Sequence, residues 1–268
     1  MISPNILYSC YVTRNLSNEQ FIPEHIFLYQ FSGSLVINDA EKEYSVQTGE
    51  FCLARRNRLA KYIKIPPQNG EYKTISVRLD QNFLKDFSKE YGFTANMPAT
   101  NDAVINIQPQ PLLLNYIQSL SPYFDLTTDG KNEQMLLIKT KEAVLLLLKT
   151  NPELKNVLFD FSEPGKIDLE AFMNRNFQFN ISMERFGYMS GRSLTTFKRD
   201  FKKIFKMAPG KWLLQKRLQQ AYYLITKKGQ KPSEVYLEVG FEDISHFSRS
   251  FSKEFGVAPS KVISKLHS

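Results

Sequence analysis

Cysteine and histidine are scarce in this 268-residue chain, and their scarcity excludes several kinds of chemistry. Only Cys10 and Cys52 occur, which gives no disulfide framework and fits a reducing compartment. There are three histidines, and His25 alone falls in the first half, so the several imidazoles of a mononuclear metal site are missing there. A Ser/His/Asp or Cys/His set has equally little to draw on, and no Gly-rich loop of the phosphate-cradling kind is present. The longest clean apolar run, Ala143–Leu148, is far too short to span a bilayer. Met1-Ile2-Ser3-Pro4-Asn5 lacks the charged head and apolar core of a signal peptide. The expectation is a cytoplasmic protein with no catalytic residues, metal or cofactor.

Acidic charge is outnumbered two to one in one part of the chain. Residues 165–268 hold 19 Lys+Arg against 9 Asp+Glu, whereas residues 1–164 hold 16 against 18. The net charge of +8 is therefore carried by the last third, as expected of a segment that neutralises phosphates.

That third also repeats itself. Aligned at a shift of fifty residues, Ser193–Pro209 and Asp243–Pro259 are identical at seven of seventeen positions. The matches are Phe197/Phe247, Arg199/Arg249, Phe201/Phe251, Lys203/Lys253, Phe205/Phe255, Ala208/Ala258 and Pro209/Pro259. Chance would supply about one, so this is an internal repeat. The phenylalanines recur at i, i+4, i+8 and define one face of a helix. Opposite them stand Thr195, Lys198, Arg199 and Lys202 in the first copy, and Ser245, Ser248, Arg249 and Ser252 in the second. The copies share a buried face and differ in outward lettering, apart from one arginine.

Each copy follows a short helical segment, Ile181–Ser190 or Pro232–Val239, opened by a candidate serine cap (Ser182, Ser233). A glycine able to take positive φ (Gly191, Gly240) ends it, and a second cap (Ser193, Asp243) opens the repeat helix. Helix, tight glycine turn, helix is the pattern of a helix-turn-helix unit. A purely packing helical hairpin has the same turn. Two copies with polar and cationic outer stripes favour double-stranded DNA as the partner. With Thr196 and His246 beside those stripes, the candidate DNA-binding residues are Thr195, Thr196, Lys198, Arg199, Lys202, Ser245, His246, Ser248 and Arg249.

The remainder divides in two. From Leu7 to Leu79 the apolar residues come in short β-branched and aromatic bursts, among them Ile26–Phe31, Ser34–Ile37, Glu43–Val46, Glu50–Leu53 and Thr74–Leu79. Asn38-Asp39 and Thr48-Gly49 punctuate them, the pattern of antiparallel hairpins in a small barrel or sandwich. Then the period becomes helical over Pro111–Leu120 and Glu133–Lys149, where Met135, Ile138, Glu142/Ala143 and Leu145/Leu146 form a stripe that suits either core or a dimer contact. Asn151-Pro152 breaks the second helix, and Phe161-Ser162-Glu163-Pro164-Gly165 reads as a linker. Asp168–Arg175 reads as a capped helix, and Gly210–Lys228 as a long helix between the two repeat units. At about 25–28 Å that helix can hold two reading helices nearly one DNA turn apart.

Residues 166–262 resemble the DNA-binding domain of the AraC/XylS family of bacterial transcription regulators. The resemblance rests on Ser193–Pro209, on Lys216-Arg-Leu-Gln-Gln-Ala221, and on Val239–Pro259, which is similar to the family signature over its full length. It implies two helix-turn-helix units joined by a long helix and entering adjacent major grooves. Tyr236 departs from the pattern, since a small residue is usual four positions before the turn glycine, where Gly187 stands in the first unit. Phe197 is a lesser departure from leucine.

The first domain resembles, in outline, the family's cupin-like sensor barrels followed by dimerisation helices. The implied fold class is α+β: a cupin-like barrel with following helices over 1–160, then an all-α double helix-turn-helix domain over 166–268. The implied assembly is a homodimer, and a small effector and RNA polymerase are further candidate partners. His25 is expected to be structural or to touch a ligand. The basic cluster Arg55-Arg56-Asn57-Arg58, Lys61 and Lys64 is either a solvated hairpin tip or the rim of a site favouring an anion. Two forms of control stay open, a small effector in the barrel or a partner protein on it. A barrel interior filled by the chain's many phenylalanines would favour the second.

Overall fold

Alternation of apolar residues builds the first unit from antiparallel strands: β1 (Ile6–Tyr11), β2 (Asn15–Leu16), β3 (Phe21–Ile22), β4 (His25–Ser32), β5 (Ser34–Asn38), β6 (Glu43–Val46), β7 (Phe51–Ala54), β8 (Arg58–Leu59), β9 (Lys61–Ile65) and β10 (Tyr72–Leu79). Helix α1 (Gln81–Tyr91) follows, then β11 (Val104–Ile107), α2 (Pro111–Ser119), α3 (Glu133–Thr150) and α4 (Lys155–Leu158). The computed structural model describes residues 6–13, 15–16, 20–98, 101–123 and 132–262. The opening Met1–Asn5 segment considered above lies outside the described residues.

One sheet has the order β1-β10-β4-β7-β11, a second β2-β9-β5-β6, and β3 pairs with β8. The register follows the hydrophobic pattern, with Phe27 opposite both Val77 and Leu53, and Leu28 opposite both Ser76 and Cys52. Because side chains alternate between faces, the five-stranded sheet has two different sides. Phe27, Phe51, Leu53, Ile75, Val77 and Leu79 join a core with α1, α2 and α3. Leu28, Cys52, Ala54 and Tyr72 face the other sheet's Leu35, Ile37 and Val46. The phenylalanines therefore fill the helix side, and the cluster between the sheets contains none among the described residues.

The β5–β6 turn falls at Asn38-Asp39 as the sequence indicates. Asn38 accepts the Ala40 amide, and Asp39 accepts those of Glu41 and Lys42, the local side-chain bonding that makes such residues turn formers. Helix α1 was not anticipated. Its cap Asp80 accepts the Asn82 and Phe83 amides, Leu84 and Phe87 are its buried pair, and Gly92 ends it at φ +73°.

Helix α3 corrects the stripe drawn from sequence. The core takes Leu136, Thr140, Ala143, Val144, Leu147 and Leu148. Met135, Ile138 and Leu145 stand outward, 48%, 60% and 39% exposed, as does Leu137 at 43%. The helix is apolar on nearly all sides, so spacing alone could not choose which face is buried.

Within the basic cluster, Arg55 and Arg56 are held by backbone carbonyls and do not form a solvated tip. Arg55 is buried and donates to the Asp102 carbonyl, while Arg56 donates to the carbonyls of Asp160 and Ser162 and ties down the end of the unit. His25 is buried beside them, and its Nδ1 accepts the Arg56 amide. Burial, with help from Arg56 and Arg55, pushes its pKa down to about 3, so it is neutral at physiological pH.

Contacts divide the chain into units Met1–Ser162 and Glu163–Ser268. The second is helical: α5 (Leu169–Asn176), α6 (Met183–Met189), α7 (Leu194–Phe205), α8 (Pro209–Lys228), α9 (Pro232–Glu238) and α10 (Ile244–Phe255). The fold as a whole is α+β. Among the described residues no helix is long and apolar enough to cross a membrane.

Candidate nucleic-acid interface

The first unit of the repeat is assembled by its caps. Ser182 accepts the Arg185 amide to start α6, Gly191 turns at φ +68°, and Ser193 accepts the Thr196 amide to start α7. A Cβ at Gly191 would stand 2.3 Å from the Gly165 carbonyl carbon, so both sterics and φ require glycine. Phe197 and Phe201 are fully buried among Leu169, Met173, Phe177, Phe186 and Leu213. Burying each of these rings contributes about 1.5–3 kcal/mol.

The second unit repeats the plan with one correction. Ser233 is not the cap of α9. The helix begins one residue earlier, at Pro232, with Lys231 in the cap position and no side-chain cap bond. Proline suits a first helical position because its missing N–H would be unpaired there in any case. Gly240 turns at φ +98°, and the Asp243 carboxylate accepts the Ser245 and His246 amides to start α10. Those amides hold the Asp243 carboxyl below its usual range. Phe247 and Phe251 are fully buried with Leu218, Val235, Val239 and Phe241. Tyr236 is half-buried against the same cluster, and the Phe241 amide donates to its carbonyl just as the Arg192 amide donates to that of Gly187. The turn thus tolerates tyrosine with its hydrogen bond unchanged.

Helix α8 serves both units. Trp212 packs on Phe205 with ring centroids 4.6 Å apart, and Tyr222 packs on Phe255 at 4.7 Å. Its twenty residues span about 30 Å, slightly more than the sequence boundary allowed.

On α7, Thr195, Lys198, Arg199 and Lys202 are exposed along the face opposite the phenylalanines, and Thr196 is half-buried behind the Ser193 hydroxyl, which donates to it. On α10, Ser245, His246 and Arg249 are exposed and Ser248 is half-buried. His246 leans edge-on against Phe241 at 5.5 Å.

Two residues of this interface carry roles that sequence reading missed. Asp200, on α7, accepts from Arg192 at 3.2 Å and from Arg199 at 3.3 Å. The Arg192 hydrogen bond and, after it, Arg199 hold the Asp200 carboxyl below its usual range against the opposing effect of burial. Arg192 is itself tied to the carbonyls of Ile167 and Ser190, so Asp200 is a fixed point beside the exposed Arg199 guanidinium. Arg217, on α8, donates to the carbonyls of Phe177, Phe179 and Gly240 at 2.8, 2.8 and 2.9 Å. It was legible only as part of the segment 216–221.

Comparison with known proteins agrees with this geometry. Residues 189–265 match the model of a helix-turn-helix domain, and residues 25–157 match that of the ExsA N-terminal regulatory domain. The chain is 23% identical over 235 residues to the HTH-type transcriptional regulator ExsA of Pseudomonas aeruginosa, covering 85% of this chain and 82% of that one. It is likewise 23% identical over 246 residues to the virulence regulon transcriptional activator VirF of Yersinia enterocolitica, covering 86% and 85%. Among solved structures, apo ToxT K231A from Vibrio cholerae aligns over 97% of both chains at 13% identity, with a TM-score of 0.47. Two glycine-turned helix pairs on one long helix, outward cations and the matches in sequence lead to one conclusion: the chain belongs to the AraC/XylS family of DNA-binding transcription regulators.

Proposed function

We propose that the protein reads two successive major-groove segments of one duplex, α7 entering the first and α10 the second. The carrying observation is the duplicated unit itself, with fully buried phenylalanines on one side of each helix and exposed polar and basic residues on the other. In this reading Arg199 reads a base edge, because a guanidinium pairs bidentately with guanine. Thr195, Thr196, Lys198 and Lys202 support it on α7, and Ser245, His246, Ser248 and Arg249 serve α10. The α10 stripe has one cation, so α10 contributes more to register and less to sequence. A randomised duplex pool enriched on the protein tests this: two conserved blocks about one helical turn apart are expected, and a single block refutes it.

In the same reading the first unit controls the second through a small polar effector held between the sheets. Small side chains (Cys52, Ala54, Ala60, Ala103) are part of the cluster packed there. The Gln30 side chain and the Tyr72 hydroxyl are buried there close to one another, with Thr74 beside the hydroxyl, and form a polar spot in an otherwise apolar cluster that a small polar ligand could join. Lys64 lies over the Tyr11 ring at 4.4 Å. The outward apolar residues of α3 support a homodimer, and a partner protein on that face is the competing reading. A metabolite panel screened by thermal shift on the full chain, followed by Gln30→Leu in any responder, separates the two forms of control.

A further inference from the structure

Two reading helices act on one duplex only if their separation and tilt match the groove. A linking helix with each unit's core packed on it fixes separation and much of the orientation, and contacts between the units themselves set the remaining tilt. In the second half of this chain one side chain makes three of those contacts. The Arg217 guanidinium spreads three donors in a plane: Nε to the Phe177 carbonyl at 2.8 Å, Nη2 to Phe179 at 2.8 Å and Nη1 to Gly240 at 2.9 Å. Phe177, the C-cap of α5, and Phe179 are buried in the connection from α5 to the first unit's α6, and Gly240 is the turn of the second unit. The same planar group therefore grips the backbone of both.

The fit around it is close. A Cβ at Gly240 would stand 2.6 Å from the Gln178 carbonyl oxygen and 3.0 Å from the Arg217 Cζ, so the two backbones meet with no room for a side chain. Two residues further on each side, Asn180 donates to Glu242 at 2.6 Å. The guanidinium is answered directly by carbonyls; burial lowers its pKa to about 10, and the charge of Glu242 opposes that in part. A buried cation carries a desolvation cost that apolar packing would avoid. Lysine, a point charge on a flexible stem, cannot reproduce a flat three-way fan.

We propose that Arg217 is a positioning residue that sets the angle between α7 and α10, and so fixes the spacing of the two DNA segments the protein accepts. It touches no base. Its effect is to make binding of the second segment intramolecular and geometrically exact in register, which is where the gain of linked sites arises. This rests on the two-segment reading above.

The test uses the full chain and duplexes enriched from a randomised pool by the wild-type protein. From the enriched sequence, one series inserts 1, 2 or 3 base pairs between the blocks, and one duplex keeps a single block. Wild type is expected to lose at least about tenfold on insertion, given the size of linked-site gains. Arg217→Lys is expected to lose about tenfold at the native spacing, to bind the single-block duplex within about twofold of wild type, and to show a flattened spacing profile. Equal losses on one-block and two-block duplexes, or a profile as steep as wild type, would overturn the proposal. If circular dichroism shows Arg217→Lys unfolded, Gly240→Ala attacks the same contact from the opposite side and is expected to flatten the profile too; an unchanged profile there overturns the proposal. A single enriched block would remove the two-segment reading and this proposal together, whereas two blocks with an unaltered Arg217→Lys profile would remove this proposal alone.

Discussion

Replacing Arg199 by alanine is expected to weaken binding to the enriched site by about 1–3 kcal/mol, roughly 5- to 150-fold, and to relax preference at one base position. The magnitude follows from where the side chain sits. Arg199 is 63% exposed midway along α7, so it crosses little desolvation barrier before meeting a base. Its one ion pair, to Asp200 at 3.3 Å, is exposed on the arginine side and holds the guanidinium only loosely. Asp200 keeps Arg192 and Lys166 as partners, so releasing Arg199 to DNA does not strand a carboxylate. The upper end of the range therefore applies if both guanidinium edges meet guanine, and the lower end if Asp200 retains one. Arg199→Lys separates the terms, because it keeps the charge and loses the fork. Fluorescence anisotropy across a salt series, on the enriched duplex and on one with every position of the first block permuted, provides the readout. Equal weakening on all sequences, with the salt slope reduced by about one, would mean that Arg199 contacts phosphate and would refute the base-reading assignment.

Scrambling the block under α10 is expected to cost less affinity than scrambling the block under α7, and the reverse order in the same anisotropy assay would overturn the division of labour. The fragment 1–160 is expected to sediment as a dimer at tens of micromolar. Because Leu137 and Leu145 are exposed, a glutamate at either should split the dimer while leaving the circular dichroism unchanged; a wild-type monomer refutes the interface. Ser193→Ala is expected to cost about 1 kcal/mol, about 4–8 °C in the melting temperature of the fragment 166–268, at any pH from 3 to 8. Asp243→Ala is expected to be pH-dependent. The Asp243 carboxyl is depressed in the folded state, so its contribution is present above the ordinary aspartate range and lost as pH falls through the lower folded value. The melting difference between Asp243→Ala and wild type should therefore shrink below about pH 4, and a difference constant with pH would show that the cap acts without its charge.

How much of this was legible in the sequence varied with the kind of signal. Caps and turns were local and read well: Ser182, Ser193, Asp243, Gly191 and Gly240 all do what their types imply. Ser233 failed because Pro232 occupies the first helical position and displaces the cap to Lys231. Helix α1 was overlooked although Asp80, Leu84, Phe87 and Gly92 mark its start, face and end. The buried face of α3 was not recoverable, since both of its faces are apolar and only tertiary packing selects one. The basic cluster misled for a related reason. Nothing in the string Arg55-Arg56-Asn57-Arg58 shows that two of its guanidiniums meet backbone carbonyls from residues 102, 160 and 162. Arg217 acts through carbonyls distant in sequence, and Asp200 through an arginine across the turn and its own neighbour; periodicity carries no trace of either.

The separate cores beneath α7 and α10 bear on how such a protein changes over generations. Each helix roots its phenylalanines in its own cluster and stacks its last one on its own aromatic of α8, Trp212 for one and Tyr222 for the other. Substitutions on either outward face thus leave both interiors untouched. On the two-segment reading proposed above, one half of a recognised site could drift and the matching helix follow it by single steps, while the other half and its helix hold the protein on the same gene. A duplicated scaffold of this kind lets regulatory targets be exchanged gradually, without passing through a form that binds nothing.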